Sequence, residues 1–329
     1  MEKVFVTGAD GMLGSSICRE ALKQGYQVKA MCMPGRNTGT LDELPIERIY
    51  GNVLDRDFLE TNMTDCTYVI HVAALTNVWP RRIEHVRQVN VEGTRNVMEL
   101  VERLGMVRMV HIGSASSFAP GTLENPGDET SEYVGARFGM DYIDSKYEAQ
   151  ELLLKKFRET GFPVIVVCPT FMIGPYDAGP SSGQMLLGLY NGVIPGYGNG
   201  GKNFVCATDV AVAAVHALKK GSLGECYIAG GENLSYKEFF ERACRVMNKP
   251  FRLRKIPHFF ILSAGLLNSV AARISGRMPK LSYGMAVIAG VNQYFSPHKA
   301  QSELDMPQTK IETGIEDCVT WFRQHGYLK

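Results

Sequence analysis

Two side chains of the sequence have the types and the spacing of an acid–base pair. Tyr142 and Lys146 stand four residues apart at the start of a predicted helix, so they share one helix face, one turn apart. Reduction of a carbonyl needs a proton donor for the oxygen as hydride reaches the carbon. A phenol has an unperturbed pKa of about 10, and a neighbouring ammonium lowers it. We therefore predict that Tyr142 is the proton donor and that Lys146 stabilises its phenolate.

A serine-rich strand end lies upstream of this pair. Ser114 is the first hydroxyl after the apolar run Met106–Ile112, and Ser116 follows two residues later. A hydroxyl outside the carboxyl end of a strand can hydrogen-bond a substrate oxygen. We predict that Ser114 orients the substrate, with Ser116 as the alternative.

The elements that position these residues follow an alternating pattern in the first half of the chain. Short apolar runs, several of them apolar throughout, alternate with amphipathic segments, which is typical of a parallel sheet covered by helices on both faces. The predicted strands are Lys3–Thr7, Gln27–Met31, Glu47–Tyr50, Tyr68–Val72, Met106–Ile112 and Pro163–Cys168. The predicted helices are Leu13–Gln24, Arg82–Leu104 and Tyr142–Thr160. The sequence thus predicts an α/β fold with a Rossmann-type, doubly wound parallel sheet.

The second half of the chain has a different texture. Prolines and glycines interrupt it from Pro175 onwards, and the alternation becomes irregular. The run Leu223–Ala229 reads as a further strand that rejoins the sheet. We predict a dinucleotide-binding domain of residues 1–172 plus the strand at about 223–229. Residues 173–222 and 230–329 are predicted to form a smaller, discontinuous substrate-binding lobe.

A glycine loop joins the first strand to the first helix. Gly8, Gly11 and Gly14 are spaced G-x-x-G-x-x-G. Glycine permits a tight turn and lets a diphosphate approach the backbone, while the helix N-terminus supplies free N–H groups. The loop therefore predicts a dinucleotide cofactor, NAD(P), and the loop residues predicted to bind it are Gly8, Asp10, Gly11, Met12, Leu13 and Gly14. Tyr142 and Lys146 are also predicted to contact this cofactor, because the lysine has spare protons for its ribose hydroxyls.

The end of the second predicted strand bears on which nicotinamide cofactor is used. An acid at this point binds the ribose hydroxyls of NAD and repels the extra phosphate of NADP. The sequence from Val28 to Asn37 contains no carboxylate. Arg36, in the loop after this strand, is suited to a 2′-phosphate. This pattern favours NADP(H) over NAD(H).

Composition excludes several other classes of protein. The formal net charge is +1, without a basic block, which disfavours nucleic acid as the main partner. The eight cysteines contain no C-x-x-C pair, so we predict no metal site and no disulfide framework, but reduced core cysteines in a cytoplasmic protein.

One apolar stretch raises the question of a membrane. Pro257–Ala272 is apolar but contains Ser263, Gly265, Asn268 and Ser269, and it is shorter than the roughly 20 residues that a spanning helix needs. We predict no transmembrane span and leave open a lipid-facing or substrate-covering helix. The N-terminus leads straight into a strand, which predicts no signal peptide.

Four further segments carry a family resemblance. They are Gly51-Asn52-Val53-Leu54-Asp55, His71-Val72-Ala73-Ala74, Asn90-Val91-Glu92-Gly93-Thr94 and Pro169-Thr170-Phe171-Met172-Ile173-Gly174-Pro175. Together with the glycine loop and Y-x-x-x-K, they resemble an extended short-chain dehydrogenase/reductase of the NAD-dependent epimerase/dehydratase superfamily, almost from end to end.

This resemblance implies roles for the four segments. It implies that Asn52 and Val53 lie at the adenine and that Asn90 orders the active-site neighbourhood. It also implies two cofactor-contacting stretches, one beside the cofactor and one at the nicotinamide carboxamide. These stretches are Val72, Ala73 and Ala74, and Pro169, Phe171 and Met172.

The substrate lobe is most similar to the dihydroflavonol-reductase-like branch, which includes proteins labelled hopanoid-associated sugar epimerases. Members of that branch often carry an arginine where this chain has Met33, and in NADP-dependent relatives that arginine meets the phosphate. The resemblance thus implies that Met33 lies at the cofactor, and the departure leaves the choice between NAD and NADP open. Sugar-nucleotide enzymes of the family commonly place an arginine where this chain has Lys202, and a single point charge clamps a diphosphate less well than a guanidinium. Ser114–Ser116 lacks the Asp-Glu pair of the sugar dehydratases. Thr76, Ser116 and Lys202 are the predicted substrate contacts.

These observations rank several functions. The first is an NAD(P)-dependent oxidoreductase acting on a small-molecule carbonyl or secondary alcohol through Ser-Tyr-Lys chemistry. The alternatives are an NAD-dependent sugar-nucleotide epimerase, a 3β-hydroxysteroid dehydrogenase and, outside the enzymes, an NAD(P)-sensing binding protein. Relatives form a dimer through a four-helix face, so the segments Arg82–Leu104 and Tyr142–Thr160 predict a homodimer.

Overall fold

The computed structural model describes residues 2–279 and 281–328. The strands of its main sheet are short, and apart from the edge strand Glu47–Tyr50 they are almost wholly buried, as strands covered on both faces should be. In chain order the strands are β1 (Lys3–Thr7), β2 (Gln27–Cys32), β3 (Glu47–Tyr50), β4 (Tyr68–His71), β5 (Arg108–Ile112), β6 (Val164–Pro169), β7 (Phe171–Ile173), β8 (Gly196–Tyr197), β9 (Gly201–Cys206), β10 (Cys226–Ala229), β11 (Glu232–Ser235), β12 (Arg254–Lys255) and β13 (Asn292–Gln293).

Helices connect the strands and cover the sheet. They are α1 (Met12–Lys23), α2 (Arg56–Met63), α3 (Glu84–Arg87), α4 (Gly93–Arg103), α5 (Asp141–Thr160), α6 (Gln184–Tyr190), α7 (Ala207–His216), α8 (Tyr236–Val246), α9 (His258–Ser275), α10 (Tyr283–Ile288), α11 (His298–Leu304) and α12 (Ile311–Gln324).

The central sheet has the strand order β10-β6-β5-β4-β1-β2-β3, and all of its pairings are parallel. The order reverses direction at β1, with β2 on one side and β4 on the other. Ligands of such sheets bind beyond the carboxyl ends of the strands at this switch point. The predicted fold class is confirmed, and β10 does rejoin the sheet, beside β6.

Two apolar layers cover the central sheet. One contains α1 and α7, with Ile17 and Val210 buried against alternate strand residues such as Val6. The other contains α2, α4 and α5, with Leu100 and Leu153 buried against the opposite strand faces. The alternation of side chains along each strand explains why both faces are apolar.

The remainder of the chain forms smaller sheets of its own. Strand β9 pairs with β7, β11 and β13, and β8 pairs with β12. A third apolar cluster gathers α8, α12 and β9 around side chains such as Phe204, Phe239 and Phe322. Phe204 and Phe239 stack with ring centroids 4.0 Å apart.

The structure corrects the predicted helix Arg82–Leu104. The helical segment begins at Glu84 and is divided by a π-helical turn at Gln88–Glu92 before it continues as α4. A π turn adds a residue to the helical repeat and is frequent at functional sites. The pattern of apolar residues in the sequence does not distinguish such a turn from regular helix.

Helix α9 contains most of the apolar stretch in question. It runs unbroken through Ser263, Gly265 and Ser269 and is 18 residues long. By length and composition alone it could cross a membrane, with a mean hydropathy of 1.2. Only 17% of its residues are buried, so most of the helix is exposed.

Candidate active site

The glycine loop is shaped by close backbone contacts at two of its three glycines. Gly8 has a positive φ of 64°, and a Cβ there would lie 2.8 Å from the backbone of Ala73. A Cβ on Gly14 would lie 2.1 Å from the carbonyl oxygen of Gly8. The protein's own packing therefore requires glycine at both positions.

Gly11 is different, because a Cβ there would meet only the Gly8 oxygen, at 3.5 Å. Gly11 is the N-cap of α1, and the first turn of this helix has neither a side-chain cap nor an acid. Its leading N–H groups thus remain available to an anion. The loop fits the diphosphate of a dinucleotide, whose approach gives a reason for glycine at this position.

The end of β4 is bonded to the start of the glycine loop. The Thr7 hydroxyl oxygen accepts hydrogen bonds from the backbone N–H groups of Val72 and Ala73, each at 3.1 Å, and lies 2.8 Å from Nδ1 of His71. Two accepted bonds occupy the oxygen, so the Thr7 proton points to Nδ1. The predicted cofactor segment Val72–Ala74 is therefore anchored to β1.

His71 continues this chain of hydrogen bonds. Its Nε2 lies 3.1 Å from the hydroxyl of Thr94, which donates to the carbonyl of Asn90 at 2.7 Å. Because Nδ1 accepts, Nε2 carries the ring proton and donates to Thr94. Burial, with the charge of Lys146, lowers the pKa of His71 to about 3. The imidazole is neutral and holds the π turn against β4.

Asn90 lies in the π turn and joins three elements. Its side-chain oxygen accepts from the N–H of Leu75 at 2.8 Å, and its amide donates to the Leu75 carbonyl and to the Ser145 hydroxyl. Ser145 in turn donates to the carbonyl of Tyr142. Asn90 thus ties the segment after β4 to the first turn of α5, next to the tyrosine.

Ser114 and Tyr142 are brought together. Ser114 follows β5, and its hydroxyl hydrogen-bonds the Tyr142 phenol and lies 2.8 Å from the Ser116 hydroxyl. Burial raises the pKa of Tyr142, while the Ser114 hydrogen bond acts in the opposite direction. The expectation that Lys146 lowers the pKa of this phenol is not what the structure shows.

Lys146 lies one turn further along α5 and is buried. Its ammonium donates to the carbonyl oxygen of Ile112, the last residue of β5, at 2.5 Å. Burial lowers the pKa of Lys146 to about 8. The lysine therefore remains largely protonated at neutral pH and holds a positive charge beside the end of β5.

The predicted residues at the end of β2 form no site by themselves. The side chains of Met33 and Arg36 are exposed, and neither forms a side-chain hydrogen bond or ion pair among the described residues. Asp10, from the glycine loop, instead reaches this point, where its carboxylate accepts from the N–H of Met33 at 3.4 Å. An acid is thus present at the end of β2, although it comes from another segment.

The segments predicted to meet the adenine and the substrate are less enclosed. Asn52 is exposed and accepts from the N–H of Leu54 at 3.0 Å, while Val53 is buried against Gly93. Thr76 is exposed and Ser116 half-buried. Met12 and Leu13 lie in the first turn of α1, which leaves their backbone N–H groups at the loop.

The predicted carboxamide segment lies between the central sheet and the lobe. Pro169 ends β6, and Phe171 and Met172 belong to β7, which pairs with β9. On β9, Lys202 lies 5.2 Å from the centroid of the Phe171 ring, and its ammonium donates to Gln293. Burial lowers the pKa of Lys202 to about 8.

Two features of the site escaped the sequence analysis. His111, on β5, is buried with both ring nitrogens unpartnered in the part of the chain that the structure describes. Its ring lies 5.4 Å from that of His71. The approach of Asp10 to Met33 was also missed. Neither feature has a signal in the sequence, because both depend on how separate strands pack.

The comparisons with known proteins agree on one family. Residues 4–230 match the sequence profile of the NAD dependent epimerase/dehydratase family. Over 330 aligned residues the chain is 29% identical to a putative dihydroflavonol 4-reductase from Synechocystis sp., covering 99% of this chain and 96% of the relative. It is 27% identical to sterol demethylase protein B from Methylococcus capsulatus, covering 98% and 99%.

A solved structure agrees with these sequence matches. The crystal structure of gox2253 has a TM-score of 0.87 to this chain and 30% sequence identity, and the match covers 100% of both chains. The similarity includes the C-terminal lobe as well as the central sheet.

Proposed function

Because the chain belongs to the NAD-dependent epimerase/dehydratase family, we propose that it is an NAD(P)-dependent oxidoreductase that interconverts a carbonyl and a secondary alcohol. The observation that carries the proposal is the grouping of Ser114, Tyr142 and Lys146 at the carboxyl end of β5. An NAD(P)-sensing protein without chemistry has no use for a tyrosine and a buried lysine gathered beside a strand-end serine.

Each side chain has a distinct part in the reaction. A bound nicotinamide supplies the hydride that the carbonyl carbon receives. Tyr142 gives its phenolic proton to the carbonyl oxygen, and Ser114 holds that oxygen in place by a hydrogen bond. Lys146 keeps a positive charge at the end of β5, where its ammonium donates to the Ile112 carbonyl and has further protons for the ribose hydroxyls of a bound cofactor. In the reverse direction the phenolate takes the proton of the alcohol.

The state of Lys202 favours a small or apolar substrate over a sugar nucleotide. Its ammonium is held by Gln293 and lies over the Phe171 ring, so it is not free to clamp a diphosphate. The relatives' names, dihydroflavonol 4-reductase and sterol demethylase protein B, point to carbonyl and sterol chemistry. A 3β-hydroxysteroid dehydrogenase is one form of this proposal.

We further propose that residues 173–222 and 230–329 form the substrate-binding lobe.

The cofactor preference is a separate part of the proposal. The sequence favours NADP(H) because the end of β2 carries no acid. Asp10 now stands at that point, bonded to the N–H of Met33, and its charge opposes a 2′-phosphate while its oxygens suit the ribose hydroxyls. Of Met33 and Arg36, the two residues predicted to lie at the cofactor here, only Arg36 carries a charge that attracts a phosphate, and its side chain is exposed. We propose that Asp10 outweighs it and that NAD(H) is preferred.

The proposed function is tested with the purified chain and a panel of alcohols, sterols and aldehydes, each with NAD(H) and NADP(H). We expect a change in nicotinamide absorbance with at least one apolar carbonyl or alcohol. Tyr142→Phe removes the proton donor, so turnover falls by about a hundredfold or more, while cofactor affinity is retained. The matched control Tyr50→Phe changes an exposed phenol on β3 and leaves turnover unchanged. Equal activity in Tyr142→Phe contradicts the mechanism.

The epimerase alternative gives a different result in the same preparation. An epimerase recycles its cofactor, so NAD copurifies with the protein and a UDP- or GDP-sugar raises the melting temperature. A ligand at a hundred times its Kd stabilises a protein by about 2.7 kcal/mol. Sugar-nucleotide stabilisation without net turnover of the carbonyl panel replaces the oxidoreductase proposal with the epimerase.

A cytoplasmic location and a homodimer through α4 and α5 stay predictions.

A further inference from the structure

Helix α9 presents an unusual apolar face to solvent. Six large apolar side chains on it are between 48% and 83% exposed. At 100° per residue they fall within an arc of about 120° on one side of the helix. These side chains are Phe259, Phe260, Leu266, Leu267, Val270 and Ile274. Exposed apolar patches of this kind mark interaction surfaces.

The opposite side of α9 fixes this orientation. Gly265, Ser269 and Ala272 are its buried residues, and their spacing places them on one face. A Cβ on Gly265 would lie 2.6 Å from the Cβ of Ala286, and the Ser269 hydroxyl accepts from the N–H of Tyr283 at 2.8 Å. Packing against α10 therefore turns the apolar face outward, to solvent.

The charges around α9 are segregated. The whole chain has a net charge of +1, yet residues 242–302 contain ten lysines and arginines and no aspartate or glutamate. Arg254 and Lys255 precede the helix, Arg273 lies in its last turn and Arg277 follows it. All four side chains are exposed, and none forms an ion pair or hydrogen bond within residues 2–279 and 281–328. Both ends of the apolar face therefore carry unpaired positive charge.

We propose that α9 docks this protein on the surface of a membrane that bears anionic lipids. The helix lies in the plane of the interface, with its apolar face among the acyl chains and the basic residues at its two ends among the headgroups. It does not span the bilayer, because its Gly265–Ala272 side is packed on α10. The apolar face needs a lipid phase, and the unpaired cations need anions beside that phase. An anionic membrane surface supplies both.

The same charges argue against a second copy of the chain as the occupant. Two copies meeting through α9 would bring the basic residues of one copy against those of the other, and like charges at an interface are unfavourable. These residues are Arg254, Lys255, Arg273 and Arg277. A nucleic acid would satisfy the cations but leave the apolar face in water. An anionic bilayer surface satisfies both sets of side chains.

The test is co-sedimentation of the full-length protein with vesicles. We expect binding to phosphatidylcholine vesicles that contain phosphatidylglycerol and weaker binding, by about tenfold or more, to phosphatidylcholine alone. Raising the salt concentration weakens the first interaction because it screens the headgroup charge. An absence of binding to both kinds of vesicle overturns the proposal.

Three matched variants separate the contributions. Phe259→Ser, Leu267→Ser and Ile274→Ser together remove the apolar contact and abolish binding to both kinds of vesicle. Arg254→Gln, Lys255→Gln, Arg273→Gln and Arg277→Gln together remove the preference for anionic vesicles. As a control, Val107→Ser, Leu123→Ser and Val193→Ser change side chains of similar exposure elsewhere and leave binding intact. Near-UV circular dichroism checks that each variant is folded.

Other outcomes identify other occupants. If sedimentation velocity shows a dimer that the α9 serine variant dissociates, and vesicles do not bind, the face joins two copies and the proposal fails. Binding to a DNA duplex that the serine variant retains, without vesicle binding, assigns the cations to nucleic acid and also overturns it.

Discussion

Asp10 shows how a side chain from another segment changes the cofactor preference that the end of a strand indicates. Its carboxylate stands 3.4 Å from the N–H of Met33, at the end of β2, and its charge contributes to a raised pKa of the Cys32 thiol, about 11, for which burial is the larger cause. A 2′-phosphate at this point would bring further negative charge close to Asp10.

We therefore predict that Asp10→Asn improves the affinity for NADP(H) by about tenfold, which corresponds to about 1.4 kcal/mol. The affinity for NAD(H) should fall or stay the same, because an amide is a weaker acceptor for ribose hydroxyls than a carboxylate. Fluorescence titration of each reduced cofactor measures both constants. Glu316→Gln, an exposed acid on α12, is the control. An unchanged ratio of the two affinities argues that Asp10 has no part in the choice.

At the scale of residues, the sequence was sufficient to choose candidate site residues but not to predict the surroundings of their side chains. The spacing of Tyr142 and Lys146 on one helix face was readable, because four residues make about one turn. The direction of the Tyr142 pKa was not, since it depends on how deeply the phenol is buried. His111 also lies among residues from other strands, and no local pattern announces two unpartnered ring nitrogens.

At the scale of elements, the joint between β1 and β4 holds the predicted cofactor segment in place. Thr7 accepts from the N–H groups of Val72 and Ala73 and is bonded to His71. Thr7→Val keeps the shape of the side chain but leaves two backbone donors and an imidazole nitrogen without their partner. We predict a loss of about 2 to 3 kcal/mol in the free energy of unfolding and weaker cofactor binding.

Urea unfolding and cofactor titration measure the two effects of Thr7→Val. The control is Thr61→Val, whose exposed hydroxyl bonds only the carbonyl of Asp57. If Thr7→Val loses no more stability than Thr61→Val, the joint does not act as described.

A second element, β9, carries the half-buried Lys202. Burial lowers the pKa of Lys202 to about 8, from an ordinary value of 10.5. Below pH 8 the lysine is charged in both the folded and the unfolded chain, and burying the charge is unfavourable. Between about pH 8 and 10.5 the folded protein loses the proton first, so this residue's contribution to stability improves as the pH rises.

Lys202→Met removes this dependence. We predict that the variant's stability relative to the parent is highest at pH 7 and declines as the pH rises from 8 to 10. The buried cysteines, whose pKa values are raised by burial to about 12 at Cys18 and Cys206, titrate alike in both proteins and cancel in the comparison. Urea unfolding at several pH values measures the difference, and a constant difference contradicts the lowered pKa.

The elements themselves were predictable where residues typical of turns mark their ends. Strands Lys3–Thr7 and Glu47–Tyr50 were predicted with their observed bounds, because turn residues delimit them. Helix α2 was missed, since it is only eight residues long and buries only Leu59 and Met63. The π turn at Gln88–Glu92 was hidden inside a longer helical pattern, and it is stabilised by Asn90 and its partners on other elements.

At the scale of the whole molecule, Asn203 joins the central sheet to the lobe. It is buried on β9; its amide donates to the carbonyls of Gly231 and Phe295, and its oxygen lies 2.7 Å from both the Thr170 hydroxyl and the N–H of Gly231. Thr170 lies between β6 and β7, the segment predicted to meet the nicotinamide. One side chain therefore connects the segment after β6, predicted to meet the cofactor, to the strands of the smaller sheet.

We predict that Asn203→Ala lowers the free energy of unfolding by about 3 kcal/mol, because several buried polar groups lose their partner at once. Turnover should fall more than cofactor affinity does, since the glycine loop is untouched while the lobe is no longer held against β7. Urea unfolding, cofactor titration and steady-state rates measure the three quantities. Asn191→Ala, at an exposed position that ends α6, should change none of them. If Asn203→Ala leaves turnover intact despite its lost stability, the lobe is positioned by its apolar core alone, and Asn203 is only a structural contact.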